Sequence, residues 1–217
     1  MRLTKNQAYD YIEKCYGPEN KQMQLSRKFA EDLGLGGISV SQTEAHLLQF
    51  LMSLIRPKKI VEIGTLTGLS CQYFLKSFQQ DGVIYSLEKS AEHIALAKQA
   101  LAPWIQSGQC LLIEGDAREK LPTLNAYGPF DAIFIDGNKA AYLDYWTWAQ
   151  ENIRSGGMIL VDNVFLAGSV WGYQQKQKFS DKQIQTVQAM TKEILSSSEF
   201  TSSFVPTEEG LLLAVRK

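Results

Sequence analysis

The spacing of apolar positions changes character at residue 59. Before it, the pattern is helical. Residues 4–34 read as two helical segments broken at Gly17-Pro18. Leu25, Phe29 and Leu33 recur at i, i+4 and i+8 and predict one apolar stripe. Gly34, Gly36 and Gly37 end that segment. Ser41 then stands as an N-cap, with Glu44 three residues later to complete a capping box. The helix it opens carries Leu47, Leu48, Leu51, Leu54 and Ile55 and stops before Pro57.

From residue 59 short apolar runs alternate with helical segments. Strands are predicted at 59–63, 83–87, 110–113, 130–135 and 157–161. Helices are predicted at 67–78 and 91–102, with an aromatic-rich one through Tyr142, Tyr145, Trp146 and Trp148. Such alternation predicts an α/β fold, a mostly parallel sheet with helices on both faces, and the apolar strands fit burial on both sides. After Asn163 the alternation lapses into a loop over 164–179 and a polar helix over 181–195. Two last strands, 199–205 and 211–215, are joined by the short Pro206-Thr-Glu-Glu-Gly210 link and predict an antiparallel hairpin. With no internal repeat or linker, the expectation is one domain over 1–217, comprising a helical extension (1–40) and a core (41–217).

Composition narrows the classes. Hydrophobic residues make up 45% and charged residues 21% of the 217, which excludes a disordered chain. Lys and Arg number 22 against 23 Asp and Glu, so no basic excess calls for a polyanion, and Lys58, Lys59, Lys176 and Lys178 are the only modest basic candidates. Cys15, Cys71 and Cys110 lack metal-ligand spacing and read as buried thiols of a reducing compartment. His46 and His93 lack zinc-type spacing. No apolar run is long enough to span a bilayer and the first residues carry no leader pattern, so a cytoplasmic location is expected.

Candidate chemistry sits where each predicted parallel strand ends, because open α/β sheets bind ligands there. Those tips are Glu62-Ile-Gly64, Glu88, Gly115-Asp116, Asp136-Gly137 and Asp162-Asn163. Asp, Asn and Gly make good turns, which accounts for any one tip. An acid at every tip on one edge asks for more. The first tip, Glu62-Ile-Gly-Thr-Leu-Thr-Gly68, opens a helix whose glycines allow close approach of a ligand to the backbone. A nicotinamide dinucleotide would want Gly-x-Gly-x-x-Gly, and the middle glycine is absent. An acidic rim would repel a pyrophosphate. It suits S-adenosyl-L-methionine, which carries a sulfonium, an ammonium and a ribose.

In order and spacing, four segments resemble the cation-dependent O-methyltransferases, the catechol and caffeoyl-CoA type with its bacterial relatives. They are Val-Glu-Ile-Gly-Thr-Leu-Thr-Gly-Leu-Ser (61–70), Glu-Gly-Asp-Ala (114–117), Phe-Asp-Ala-Ile-Phe-Ile-Asp-Gly-Asn-Lys (130–139) and Val-Asp-Asn-Val (161–164). The resemblance implies a Rossmann-like class I methyltransferase fold with strand order 3-2-1-4-5-7-6 and strand seven antiparallel. It implies that Val40, Glu62, Gly64, Thr65 and Ser70 surround the methionine end of the cofactor. Glu88 would hold the ribose, Asp116-Ala117 the adenine side, and Asp136 would lie beside cofactor and metal alike. Asp136, Asp162 and Asn163 match the ligands of a Mg²⁺, Mn²⁺ or Ca²⁺ ion, a hard-oxygen set. Lys139 matches the catalytic lysine, placed to take a phenol proton. The implied substrate is a small ortho-dihydroxy aromatic, and the implied assembly a homodimer. Some relatives instead methylate a hydroxyuridine of tRNA, which leaves that substrate as the alternative. Two departures touch the substrate side: Asn138 stands where plant relatives carry an acid, and Val164-Phe-Leu-Ala-Gly168 replaces the Trp and basic residue frequent in bacterial relatives. Trp171 and Tyr173 follow in the same loop, as cover for a flat substrate or as a subunit contact.

Overall fold

A computed structural model of the chain describes residues 5–78, 81–173 and 179–217. Helices α1 (Lys5–Tyr16), α2 (Lys21–Asp32) and α3 (Gln42–Ile55) precede the sheet. There follow β1 (Lys59–Ile63), α4 (Leu69–Leu75), β2 (Val83–Glu88), α5 (Ala91–Ala100), α6 (Ala102–Gln106), β3 (Cys110–Glu114), α7 (Ala117–Lys120) and β4 (Phe130–Ile135). The chain ends with α8 (Tyr142–Asn152), β5 (Ile153–Val161), α9 (Asp181–Ser196), β6 (Phe200–Val205) and β7 (Leu211–Arg216).

The strands form one seven-stranded sheet in the order β3-β2-β1-β4-β5-β7-β6. Neighbours from β3 to β5 run parallel, while β7 runs antiparallel to both β5 and β6, the expected hairpin. Register aligns the tips: Ile63 pairs with Leu87 and with Ile135, Leu87 with Ile113, and Ile135 with Val161. The residues that leave these strands therefore emerge along one edge.

Alternation along each strand divides the core. Val61, Ile63, Ile133, Ile135, Ile159 and Val161 face α8 and α9, where Tyr142, Trp146, Met190 and Ile194 are fully buried. Ile60, Ile84, Phe134 and Leu160 face the other way, onto Leu48, Met52, Phe74 and Leu101. Each large side chain buried this way stabilises the fold by about 1.5–3 kcal/mol. Among the described residues no helix is long and apolar enough to cross a membrane.

Ser41 caps α3 with Glu44 as its capping-box partner, and Arg56 ends it in a left-handed conformation before Pro57. Other boundaries move. The expected stripe Leu25, Phe29, Leu33 is only half-buried, and α2 packs through Met23, Ser26 and Ala30 instead. Ser26 anchors that face: its Oγ donates to Thr67 O (2.7 Å) and its own carbonyl accepts from Thr67 Oγ1 (2.8 Å). The segment expected as one helix over 91–102 is two, because Pro103 starts a new one. Strand β5 begins at Ile153 rather than 157, since Ile153 pairs with Phe130 and Arg154 Nε donates to Asp131 Oδ1 at 2.5 Å. Cys71 and Cys110 are buried with sulfurs 3.8 Å apart, but Cys15 is exposed, against expectation.

Candidate active site

The five strand tips open onto a cavity of about 460 Å³. The loop after β1 forms its floor. Gly64 has φ 98°, and a Cβ there would lie 2.2 Å from the Asp136 carbonyl oxygen, so only glycine lets the tips of β1 and β4 meet this closely. Glu62, two residues before Gly64, has no solvent exposure. Its carboxylate accepts from Ser70 Oγ and Ser86 Oγ, each at 2.5 Å, and Ser86 Oγ also contacts Thr65 Oγ1. Burial raises the Glu62 carboxyl to about 7, despite those two hydroxyls and with help from the charges of Asp136 and Glu88.

Glu88 ends β2. Its Oε2 accepts from the backbone of Thr65 (3.3 Å) and Leu66 (2.9 Å), its Oε1 from Ser90 N (2.9 Å), and His93 Nδ1 lies 3.5 Å from Oε1. Asp116 caps α7, and Arg118 grips it through Nε (3.1 Å) and Nη2 (2.8 Å), which lowers its carboxyl to about 2. Ala117, at the start of α7, lines the cavity beside it. Val40 is positioned by Arg27, whose Nη1 donates to the Val40 carbonyl at 3.2 Å.

The β4–β5 end is built differently. Lys139 Nζ lies 2.7 Å from Asp136 Oδ1 and 2.6 Å from the Tyr142 hydroxyl, which in turn donates to the Asp162 carbonyl at 3.0 Å. Asp162 is 9% exposed and accepts its neighbour Asn163 N–H at 2.8 Å. Burial, then the nearby charge of Asp136, pushes its carboxyl up to about 8. Asn163 sits at φ 59°, a left-handed conformation Asn tolerates, and lines the cavity next to Asp162. Two crowded carboxyl groups and an amide share one lysine, which pairs with Asp136, so ionising both acids would leave negative charge uncompensated. This donor set fits a hard divalent cation, three oxygens with room for further ligands. Among the described residues no cluster of three or more His, Cys, Asp or Glu side chains offers another metal site.

The cavity thus brings together Val40, Gly64, Thr65, Ser70, Glu88, Asp116, Ala117, Asp136, Lys139, Asp162 and Asn163 from the sequence reading. Glu62 does not line it: its carboxylate is spent beneath the floor on Ser70 and Ser86. Tyr142, read from its spacing as packing, has its ring buried and its hydroxyl on Lys139, so it does both. His93, Glu44, Glu208 and Glu209 also line the cavity, and local pattern gave no signal for the last three. Trp171 and Tyr173 are 62% and 56% exposed and do not line it. Of the four basic candidates, Lys59 starts β1, at the opposite end of the strands from the cavity, with Lys58 just before it; Lys176 and Lys178 lie outside the described residues.

A seven-stranded sheet of this order, with acids at its strand tips and a glycine-turned floor, defines a class I methyltransferase. The O-methyltransferase family model matches residues 14–217, and the chain belongs to that family. It is 33% identical over 162 residues to a catechol O-methyltransferase of Niastella koreensis, covering 74% of this chain and 73% of that one. Among solved structures, the O-methyltransferase TomG of Streptomyces achromogenes, in complex with S-adenosyl-L-methionine, superposes with a TM-score of 0.89 at 25% identity over 100% of both chains. A Bacillus cereus O-methyltransferase bound to S-adenosylhomocysteine gives 0.87 at 25% identity, covering 97% of each. The protein is an S-adenosyl-L-methionine-dependent O-methyltransferase.

Proposed function

We propose that this enzyme methylates a hydroxyl of a small ortho-dihydroxy aromatic in a divalent-metal-dependent reaction. One observation carries the reading: Asp136 and Asp162 crowd together at the cavity wall beside Lys139. Asp136, Asp162 and Asn163 would hold the ion, Mg²⁺ or Mn²⁺ in preference to the larger Ca²⁺. When bound, it supplies Lewis-acid polarisation of a substrate hydroxyl and a template for two adjacent oxygens. Lys139 Nζ, once it has released its own proton to solvent and stands as a neutral amine, would take up the hydroxyl proton, and Tyr142 holds that amine at the wall. Val40, Gly64, Thr65 and Ser70 cradle the methionine end of the cofactor, Glu88 its ribose and Asp116-Ala117 its adenine side. Glu62 braces the floor from below. A tRNA substrate fits less well, because Lys58 and Lys59 lie at the far end of the strands.

Activity should vanish with EDTA and return with Mg²⁺ or Mn²⁺. Asp162→Ala should abolish turnover of a catechol while leaving cofactor affinity, read by calorimetry, within about threefold of wild type. Full activity of Asp162→Ala in EDTA would move the enzyme to a metal-free class.

We also infer a homodimer. The half-buried Leu25, Phe29 and Leu33 stripe supports it, as does an apolar groove at the β6 edge formed by Phe165, Trp171, Leu195 and Phe204. Light scattering at micromolar concentration giving one chain mass, 24.4 kDa, would refute it.

A further inference from the structure

Helix α2 bonds to two segments of the cavity wall without lining the cavity itself. Successive helix residues point about 100° apart, so Ser26 and Arg27 reach different segments. Ser26 Oγ donates to Thr67 O (2.7 Å) in the loop after β1, and Thr67 Oγ1 donates back to Ser26 O (2.8 Å). Gln72 of α4 closes the same side, its Nε2 donating to Ser26 Oγ at 2.8 Å. Arg27 Nη1 donates to Val40 O at 3.2 Å, just before α3. Its other two nitrogens are held on Glu19, Nε at 2.5 Å and Nη2 at 2.8 Å, and Tyr73 of α4 donates its hydroxyl to the same carboxylate at 2.7 Å. Val40 and Thr67 line the cavity; Ser26, Arg27 and Glu19 do not.

These contacts are polar where apolar ones would serve stability better. Ser26 and Gln72 are fully buried and Thr67 is 1% exposed. A helix docked for stability alone would bury its apolar stripe. Here Leu25, Phe29 and Leu33 stay half-buried, and the face turned inward is Met23, Ser26 and Ala30. What the polar contacts secure is a loop that needs holding. Leu66, next to Thr67, sits at φ 50°, a left-handed conformation that is uncommon for a residue with a side chain. Glu88 Oε2 fastens Thr65 N and Leu66 N from the cavity side, and Ser26 fastens Thr67 from the other.

We infer that Ser26 and Arg27 are positioning residues for the cofactor: α2 clamps Thr67 and Val40 in place, and so sets the affinity for the amino-acid end of S-adenosyl-L-methionine without touching it. The inference rests on the reading above that puts this end beside Val40 and Thr65. Glu88 and Asp116, which that reading gives to the ribose and the adenine side, take their hydrogen bonds from Thr65, Leu66, Ser90 and Arg118 instead. Loosening the clamp therefore costs the amino-acid end more than the nucleoside end.

The test is calorimetry, direct or by displacement, with two ligands. S-adenosylhomocysteine carries the amino-acid chain; 5′-methylthioadenosine keeps the adenine, ribose and sulfur and lacks that chain. Ser26→Ala should weaken S-adenosylhomocysteine about tenfold and Arg27→Gln about threefold or more, while 5′-methylthioadenosine changes by less than about twofold in either. A merely structural role predicts the same change for both ligands, and denaturant melts verify that each variant is folded at the temperature of titration. Should Ser26→Ala fail to fold, Arg27→Gln, at a side chain 29% exposed, carries the same comparison. Equal losses for the two ligands, or no loss for either, would overturn the inference. The cofactor reading then stands as long as Glu88→Ala weakens both ligands. If Glu88→Ala weakens neither, that reading falls and this inference with it.

Discussion

The two ends of the cavity treat their acids in opposite ways. At the β1–β3 end the carboxylates are committed to the protein: Glu62 to two serines, Glu88 to three backbone N–H groups, Asp116 to Arg118. At the β4–β5 end they are left short of partners, and Asp162 is pushed up to about 8 by burial and by Asp136. The backbone differs less: the first end rests on a glycine floor pinned by α2 but carries Leu66 at φ 50°, while the second runs through Asn163, Leu166 and Ala167, all at positive φ. Such strain concentrates where structure serves a ligand rather than stability. A ligand at the first end meets finished geometry; the proposed ion at the second end would let both carboxyl groups ionise.

The largest expected effect tests whether the ends work separately. Lys139→Ala should cut kcat about 10²–10⁴-fold, the usual worth of a general base, without weakening cofactor binding. Single-turnover rates and calorimetry on one preparation measure both. A loss of cofactor affinity that matches the loss of rate would erase the distinction between the ends.

Glu62 sharpens the comparison through pH. Its carboxyl is raised from 4.5 to about 7 in the folded protein, chiefly by burial. Between those values the folded state holds a proton the unfolded state has lost, so stability falls as pH rises through this window and levels off above it. Glu62→Gln cannot ionise and keeps a donor and an acceptor for the two serines. In cofactor-free protein it should match wild type near the lower bound and gain on it by about 3 kcal/mol above the upper one, at ~1.4 kcal/mol per pH unit. Denaturant melts across this range would show a flat difference if Glu62 stays ionised throughout.

How much of this was legible beforehand follows from sequence separation. Each strand tip joins an apolar run to an acid a few residues later, so Glu88, Asp116, Asp136 and Asp162 could be placed on one edge from local pattern alone. Tyr142 could not, since an aromatic at helical spacing looks the same whether or not its hydroxyl reaches a lysine. Glu208 contacts Glu44 across 164 positions, a meeting that only the docking of the β6–β7 turn on α3 produces. Nor did Glu62 show on which side of the floor its carboxylate would lie, because that depends on Ser86 of the neighbouring strand. The shortened α2 contact surface has a similar origin, with Ser26 outcompeting Leu25 for the buried face by bonding to Thr67.

Removing Glu88 weakens the committed end. Glu88→Ala should cost about 1.5–3 kcal/mol of cofactor affinity, the range for hydrogen bonds to a charged group. Unchanged affinity in calorimetry would remove Glu88 from the cofactor site.

The smallest effect belongs to Tyr142. In the proposed mechanism its phenol is a positioning group that would reach the reaction only through Lys139, 2.6 Å away, while its own proton goes to the Asp162 carbonyl. Tyr142→Phe keeps the buried ring and deletes one hydrogen bond on each side, worth about 0.5–1.5 kcal/mol, so kcat should fall roughly 3–10-fold. KM and cofactor affinity should hold, since the floor loses no contact. A merely structural role predicts the same fractional loss in any background. Acting through Lys139 predicts instead that Tyr142→Phe has no further effect on kcat once Lys139 is alanine, and a double-mutant cycle separates the two. Additive losses in that cycle would detach Tyr142 from the lysine and leave Asp136 as its one polar partner among the described residues.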